Sequence, residues 1–363
     1  MERWAEAFQD LPRAAFLPDV LWPKDPETGR RVRVDRVEDP EGWRAWAERD
    51  VPIVVGWRDA PPGGREAGTE ATSSASQPSL VVDMLADLDV RPGHRVLDAG
   101  TGTGWTTALL AARTGSANVV GVEYDPDVAE AARDRLRAAG LEPLVVTGDG
   151  GAGWEAGAPY DRIQGTYAVR RIPEAWVRQT RPGGVIVAPW RTRLGDQGAV
   201  ARLTVAEDGT ASGPFTRATT FMRSKAETDD DVDPDDYLPP GGEGWPDDTM
   251  ESTTALRPED LWSHPQGAAW FVVGLLLRDV THLLGTDGDG AAVGWLYSLR
   301  CRSWAAVFSD GDVYEHGPRR LWREVERAHG RWIAEGRPDQ RDFGLTIERG
   351  EERVWLREPG RAL

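Results

Sequence analysis

The spacing of apolar residues changes along this chain, and the changes divide it into segments. After Pro78, a residue suited to a first helical turn, Leu80, Met84, Leu85 and Leu88 recur at helical spacing. Short apolar runs then alternate with helical patterns. Strands are predicted at Arg95–Ala99, Asn118–Glu123, Pro143–Thr147, Tyr160–Thr166 and Gly184–Pro189, and helices at Thr103–Arg113, Asp127–Ala139 and Glu174–Thr180. That alternation implies an α/β, Rossmann-like fold, a parallel sheet with helices on both faces. Ala199–Ala206 and Phe215–Arg223, joined across Glu207-Asp208-Gly209-Thr210, read as an antiparallel edge to that sheet.

The flanks read differently. Residues 1–65 are rich in Trp, Pro and Arg and carry the phrase Leu11-Pro12-Arg13-Ala14-Ala15-Phe16-Leu17-Pro18-Asp19. Residues 60–76 are small and turn-forming, which predicts a flexible loop. Between Glu227 and Asp248 six aspartates crowd ahead of Pro239-Pro240-Gly241-Gly242, the composition of a linker or mobile loop. Beyond it, hairpins are expected across Ser309-Asp310-Gly311-Asp312 and Arg349-Gly350-Glu351. Between them, an amphipathic helix over Pro318–Glu335 shows Leu321, Val325, Ala328 and Trp332 on one face. The expected organisation is a domain over 1–225, an acidic linker over 226–255 and a smaller α+β module over 256–363, with no internal repeat.

Composition narrows the function classes. A 363-residue chain with 40% hydrophobic residues can bury an ordinary core. Its net charge of -17 argues against nucleic acid, whose phosphates are held mainly by Lys and Arg. One cysteine, Cys301, excludes an internal disulfide framework and a Cys-based zinc site, and no metal is expected. The first residues lack the pattern of a signal peptide, and the apolar run Ala268–Leu277 is about half a membrane span. A cytoplasmic monomer with no membrane partner is expected.

The candidate chemistry lies at Val96-Leu97-Asp98-Ala99-Gly100-Thr101-Gly102-Thr103-Gly104-Trp105, a strand running through a glycine-rich turn into a helix. Glycines there let the backbone turn sharply and approach a nucleotide-type ligand, although dinucleotide enzymes use similar turns. Three neighbours favour S-adenosylmethionine (SAM) over NAD. Glu123 closes the second strand, where a carboxylate can accept from both ribose hydroxyls, with Tyr124 beside it. Gly148-Asp149-Gly150 follows the third strand, where an aspartate can meet an adenine amino group. Asp98 can orient the turn, although Asp98 and Asp149 also suit simple turn formation. The five histidines read as structural or surface residues.

The order of these motifs resembles the protein L-isoaspartyl O-methyltransferases. The resemblance runs from Leu11–Asp19 through Ser76-Gln77-Pro78, Val96–Trp105, Gly148-Asp149-Gly150 and Ile172-Pro173-Glu174-Ala175 to Arg181–Pro189. It implies a class I SAM methyltransferase that methylates an aspartyl-type carboxylate. Ser76 is implied as the catalytic residue, and with Gln77 it would lie beside the cofactor; as an alternative, Ser76 caps the helix before Pro78. Thr166 and Tyr167, after the fourth strand, would border the acceptor. Such chemistry needs no strong base, because a carboxylate with a pKa near 4 is already anionic at neutral pH.

Two departures shape the expected substrate. The loop Thr166-Tyr167-Ala168-Val169-Arg170-Arg171 is bulkier and more basic than the small Ala/Pro-rich loop of repair enzymes, with Arg170 and Arg171 directed at the acceptor or at solvent. Phrases in the tail, such as Gly317-Pro318-Arg319-Arg320-Leu321-Trp322, resemble actinobacterial methyltransferases tied to ribosomally made peptides, first among them those accompanying ATP-grasp ligases (graspetides). The expected partner is therefore a cyclised ribosomal precursor peptide, whose methylated aspartate collapses to aspartimide (succinimide) or isoaspartate. Protein isoaspartate repair is the alternative, and a non-catalytic SAM-binding scaffold the third reading. The tail's tryptophans form either a peptide-docking face or a core, and the acidic stretch either folds over a peptide or is a solvated tether.

Overall fold

A computed structural model of the chain describes residues 2–59, 66–195, 197–227, 232–237, 245–256, 267–286, 290–361 and 363. Two compact units emerge. The first holds residues up to Tyr167, Ile172–Ala188 and Arg202–Ala211; the second holds Ala168–Arg171, Pro189–Ala201 and Ser212–Leu363.

The first unit begins with α1 (Glu2–Asp10), β1 (Val20–Pro23), β2 (Val34–Asp35), α2 (Pro40–Glu48), β3 (Ile53–Trp57) and β4 (Ala71–Ala75). Strands β1 to β4 form an antiparallel sheet in the order β2-β1-β3-β4, with Leu21, Trp43, Ile53 and Ala75 in one apolar cluster. The loop expected over 60–76 is therefore corrected for Ala71–Ala75. Residues 60–65 lie outside the described residues. Ala-Thr-Ser-Ser-Ala has no strand signal of its own; pairing of Ala75 with Ile53 and Ser74 with Val54 supplies it.

Next come α3 (Pro78–Leu88), β5 (Val96–Ala99), α4 (Trp105–Thr114), β6 (Val119–Glu123), α5 (Pro126–Ala138), β7 (Leu144–Thr147), β8 (Tyr160–Gly165), α6 (Glu174–Gln179) and β9 (Thr180–Arg191). β5 pairs in parallel with β6 on one side and β8 on the other, giving the order β9-β8-β5-β6-β7. All four residues of β5 are buried, as expected for a central strand covered on both faces. The strand order reverses between β5 and β8, and the carboxyl ends at such a reversal form the ligand crevice of open α/β sheets.

The second unit contains part of β9 and of β10 (Gln197–Val205), then β11 (Ala211–Thr220), β12 (Met250–Thr253), α7 (Ala268–Leu276), β13 (Val280–Thr286), β14 (Ala292–Ser298), β15 (Trp304–Phe308), β16 (Asp312–His316), α8 (Leu321–Ala334), β17 (Phe343–Glu348) and β18 (Glu351–Leu356). One sheet runs β12-β16-β15-β14-β13, its strands antiparallel, and Leu296, Val307, Leu321 and Val325 share its core with Trp270 of α7 and Trp322 of α8. Trp304 and Trp322 are fully buried, so these tryptophans are core. Both expected hairpins form.

The expected breaks at 225 and 255 differ from this division. β17 neighbours β11 rather than standing in a separate module, and β12 starts pairing at Met250. The described part of the acidic stretch is no free tether: the Tyr237 hydroxyl donates to the Ser298 carbonyl (3.0 Å), and Trp245 stacks on Tyr314 (5.0 Å between centroids). Residues 228–231 and 238–244 lie outside the described residues.

Candidate active site

The glycine turn leaves β5 at the reversal point. Gly100 and Gly102 have φ of +93° and +55°, a region that side chains disfavour. Space is equally restrictive at Gly100, where a Cβ would lie 2.6 Å from Thr166 Oγ1. Above Gly102, by contrast, the nearest atom to a built Cβ is the Gly100 carbonyl at 3.8 Å, and nothing lies within 4 Å at Gly148. The turn is tight underneath and open above. Thr101 and Thr103 are buried within it, and Gly104 occupies the cap position before α4.

Three carboxylates surround this turn. Glu123, buried at the end of β6, accepts the Gly102 N–H (2.8 Å) and the Asp125 N–H (3.1 Å). A carboxylate has about four lone-pair sites, so acceptor capacity remains on both oxygens. Asp98 is fully buried, and its Oδ2 accepts the Thr107 hydroxyl at 2.6 Å. Its Oδ1 is buried without a hydrogen-bond partner among the described residues. Burial pushes the Asp98 carboxyl up to about 7, opposed by the Thr107 bond and reinforced by the Glu123 charge. Asp149 is exposed and accepts the Gly151 N–H (2.8 Å), closing the turn after β7, while the neighbouring Gly148 N–H donates to the Glu123 carbonyl. Tyr124 is exposed.

Across the crevice, the Thr166 hydroxyl donates to the Gly100 carbonyl and so clamps the turn. A Cβ on Gly100 would lie 2.8 Å from Tyr167 Cδ1, and one on Gly150 2.8 Å from Tyr167 Oη. The phenol therefore lies across both glycines. It meets the Trp176 ring edge-on (6.2 Å), and Trp176 Nε1 donates to the Gly150 carbonyl (2.8 Å). Trp176 carried no signal in the sequence beyond being aromatic.

Ser76 stands where β4 ends and α3 begins. It does not cap α3. Gln77 occupies the cap position and makes no side-chain cap bond; the Ser79 N–H donates instead to Asp50 Oδ1 (2.8 Å). Gln77 Nε2 donates to Asp50 Oδ2 (3.0 Å), and the Ser76 carbonyl accepts from Arg13 Nη1 (3.1 Å). Among the described residues the half-buried Ser76 hydroxyl has no partner. Neither Arg13, within Leu11–Asp19, nor Asp50 carries a local sequence signal for these contacts, because their partners lie far along the chain.

In the second unit, the Arg170 backbone N–H and Nε donate to Glu227 (2.9 and 3.0 Å), so Arg170 is not a solvent-directed charge, while exposed Arg171 donates to the Gly350 carbonyl. A cavity of about 610 Å³ beside these arginines contains none of the expected site residues.

The family model described as protein-L-isoaspartate(D-aspartate) O-methyltransferase matches residues 56–223. A protein-L-isoaspartate O-methyltransferase of Ignicoccus hospitalis is 32% identical over 195 residues, covering 53% of this chain and 75% of that protein. One from Methanoculleus marisnigri is 45% identical over 189 residues, covering 52% of this chain and 69% of that protein. A solved protein-L-isoaspartate O-methyltransferase structure aligns with 98% of this chain and 95% of its own, with a TM-score of 0.55 and 21% identity. That identity speaks of fold alone, and the shared fold extends over the tail. Among the described residues no helix is long and apolar enough to cross a membrane.

Proposed function

The chain belongs to the protein-L-isoaspartate O-methyltransferase family, and on that premise we propose that it methylates the free carboxylate of isoaspartyl residues in proteins or peptides. Its cofactor is SAM, which supplies, when bound, a methyl group on a positively charged sulfur that an ionised carboxylate can accept. The residues present suit that cofactor. The buried, donor-less Oδ1 of Asp98 suits a cationic ammonium group, which would restore the hydration lost on burial. Glu123 retains acceptor sites for a ribose diol while its bonds to Gly102 and Asp125 hold it still. Asp149 presents an exposed carboxylate at the third strand end, and Thr166 keeps the turn from relaxing.

The observation that carries the acceptor assignment is the Ser76 hydroxyl. Its backbone is anchored and its helix is capped by another residue, so the hydroxyl is available to donate to an accepting carboxylate. Holding that anion in line and excluding water is most of what this reaction asks of a protein. The resulting ester has a competent leaving group. Attack by the following amide nitrogen closes a succinimide, and its hydrolysis returns aspartate in part.

The assay offers SAM with an isoaspartyl peptide, its aspartyl counterpart and a macrocyclic precursor peptide. A mass gain of one methylene on the isoaspartyl peptide alone is expected. Ser76→Ala should lower kcat about 10–100-fold while S-adenosylhomocysteine still binds. Methylation of the macrocycle alone would overturn the assignment in favour of peptide tailoring.

A further inference from the structure

Arg13 is buried, yet no carboxylate among the described residues lies in contact with its guanidinium. Its N–H groups go to main-chain carbonyls instead: Nε and Nη2 to Ala47 (3.0 and 2.8 Å), Nη2 also to Arg49 (2.7 Å) and Trp46 (3.4 Å), and Nη1 to Val51 (2.8 Å) and Ser76 (3.1 Å). Trp46, Ala47 and Arg49 lie at the carboxyl end of α2, whose orphan carbonyls and dipole attract a cation. Val51 and Ser76 lie beyond that helix. One rigid fork thus ties a helix end to the turn that carries Ser76, which a flexible point charge such as lysine cannot reproduce.

The same segment reaches the cofactor turn. Two residues before Arg13, the Leu11 carbonyl accepts Trp105 Nε1 (2.9 Å), and Trp105 is the first residue of α4 after Gly104. Leu11, Arg13 and Trp105 are all buried. On the far side of Ser76, Asp50 holds the Ser79 N–H and the Gln77 amide. Burial alone would raise the Asp50 carboxyl, but these donors and the Arg13 charge hold it below its ordinary value. The turn Ser76-Gln77-Pro78 has no capping bond of its own and is held from outside at both ends.

We propose that Arg13 and Asp50 are positioning residues for methyl transfer: Arg13 from the Ser76 carbonyl and Asp50 from the Ser79 amide fix the Ser76 turn relative to the glycine turn that Leu11 grips through Trp105. The proposal rests on the reading of Ser76 as the acceptor-side residue. Loss of the fork moves the hydroxyl without touching Gly100–Gly104, Glu123 or Asp149, and a displacement of about 1 Å at a reacting group can cost about 100-fold in rate.

The test compares the full-length protein with Arg13→Lys and with Asp50→Asn, an exposed change that leaves the buried fork in place. Three quantities are measured: kcat on an isoaspartyl peptide, S-adenosylhomocysteine affinity by calorimetry, and amide hydrogen exchange over residues 76–80 with S-adenosylhomocysteine bound. Arg13→Lys should lower kcat about 100-fold and Asp50→Asn about 5–10-fold, with affinity within about threefold of wild type and faster exchange confined to 76–80. Affinity falling as far as kcat, or unchanged kcat and exchange in folded Asp50→Asn, overturns the proposal. If Arg13→Lys does not fold, Asp50→Asn decides. If the wild-type protein does not methylate the isoaspartyl peptide, the acceptor assignment fails, and the exchange over 76–80 still decides whether the two residues hold the turn.

Discussion

Replacing Asp98 by Asn removes a single buried ionisation, and its consequences have opposite signs for stability and for cofactor binding. Asp98 is fully buried, with one hydroxyl donor on Oδ2 and none on Oδ1 among the described residues. Loss of hydration first, then the nearby Glu123 charge, raise its carboxyl from 3.8 to about 7 against the pull of Thr107. Between those two values the folded protein keeps a proton that the unfolded chain has released. The stabilisation from that proton is complete below about pH 4 and is lost as pH rises through about 7. Raising the carboxyl from 3.8 to about 7 corresponds to about 4 kcal/mol in all, of which about 2–3 kcal/mol falls between about pH 5 and pH 8. Denaturant unfolding of both proteins across that window measures it: the wild type should lose about 2–3 kcal/mol relative to Asp98→Asn. Cofactor affinity should move the other way. A cationic group at Oδ1 needs the ionised form, so wild-type SAM affinity should rise about tenfold from about pH 6 to pH 8, whereas Asp98→Asn should show no such rise. Parallel stability curves for the two proteins would refute the assigned ionisation. Equal pH dependence of their SAM affinities would remove Asp98 from the cofactor site.

Two further substitutions probe the turn. Gly100→Ala places a side chain at positive φ and within 2.6 Å of the Thr166 hydroxyl, so unfolding should be easier by about 1–3 kcal/mol and SAM binding should be lost; an unchanged Tm would show that the turn can relax. Glu123→Gln keeps the shape but replaces one acceptor oxygen by a donor where the Gly102 and Asp125 N–H groups point. SAM dissociation constants measured by calorimetry should rise about 10–100-fold, and a change below about twofold would separate Glu123 from cofactor binding.

Much of this architecture is legible residue by residue because its signals are local. The strands β5, β6, β7 and β8 begin or end within a residue or two of the apolar runs that predict them, and Gly100, Gly102 and Gly104 adopt the positive φ that their spacing implies. A steric constraint of this kind resides in the residue itself, so it survives any tertiary context. The helix face of Leu321, Val325 and Ala328 is equally local in origin, and all three residues are buried.

What tertiary structure alone decided lies where the partner is distant in sequence. Ala71–Ala75 is a strand only because β3 pairs with it, and the compact units part inside β9 and β10 rather than at the acidic stretch because β17 finds its neighbour in β11. No periodicity reports that Glu123 steadies the turn through Gly102, or that Asp98 keeps one oxygen without a donor. Nor does any local pattern show Arg13 gripping a carbonyl 63 residues away. Conformational preference is carried by each residue; hydrogen-bond satisfaction and burial belong to whatever the fold brings beside it.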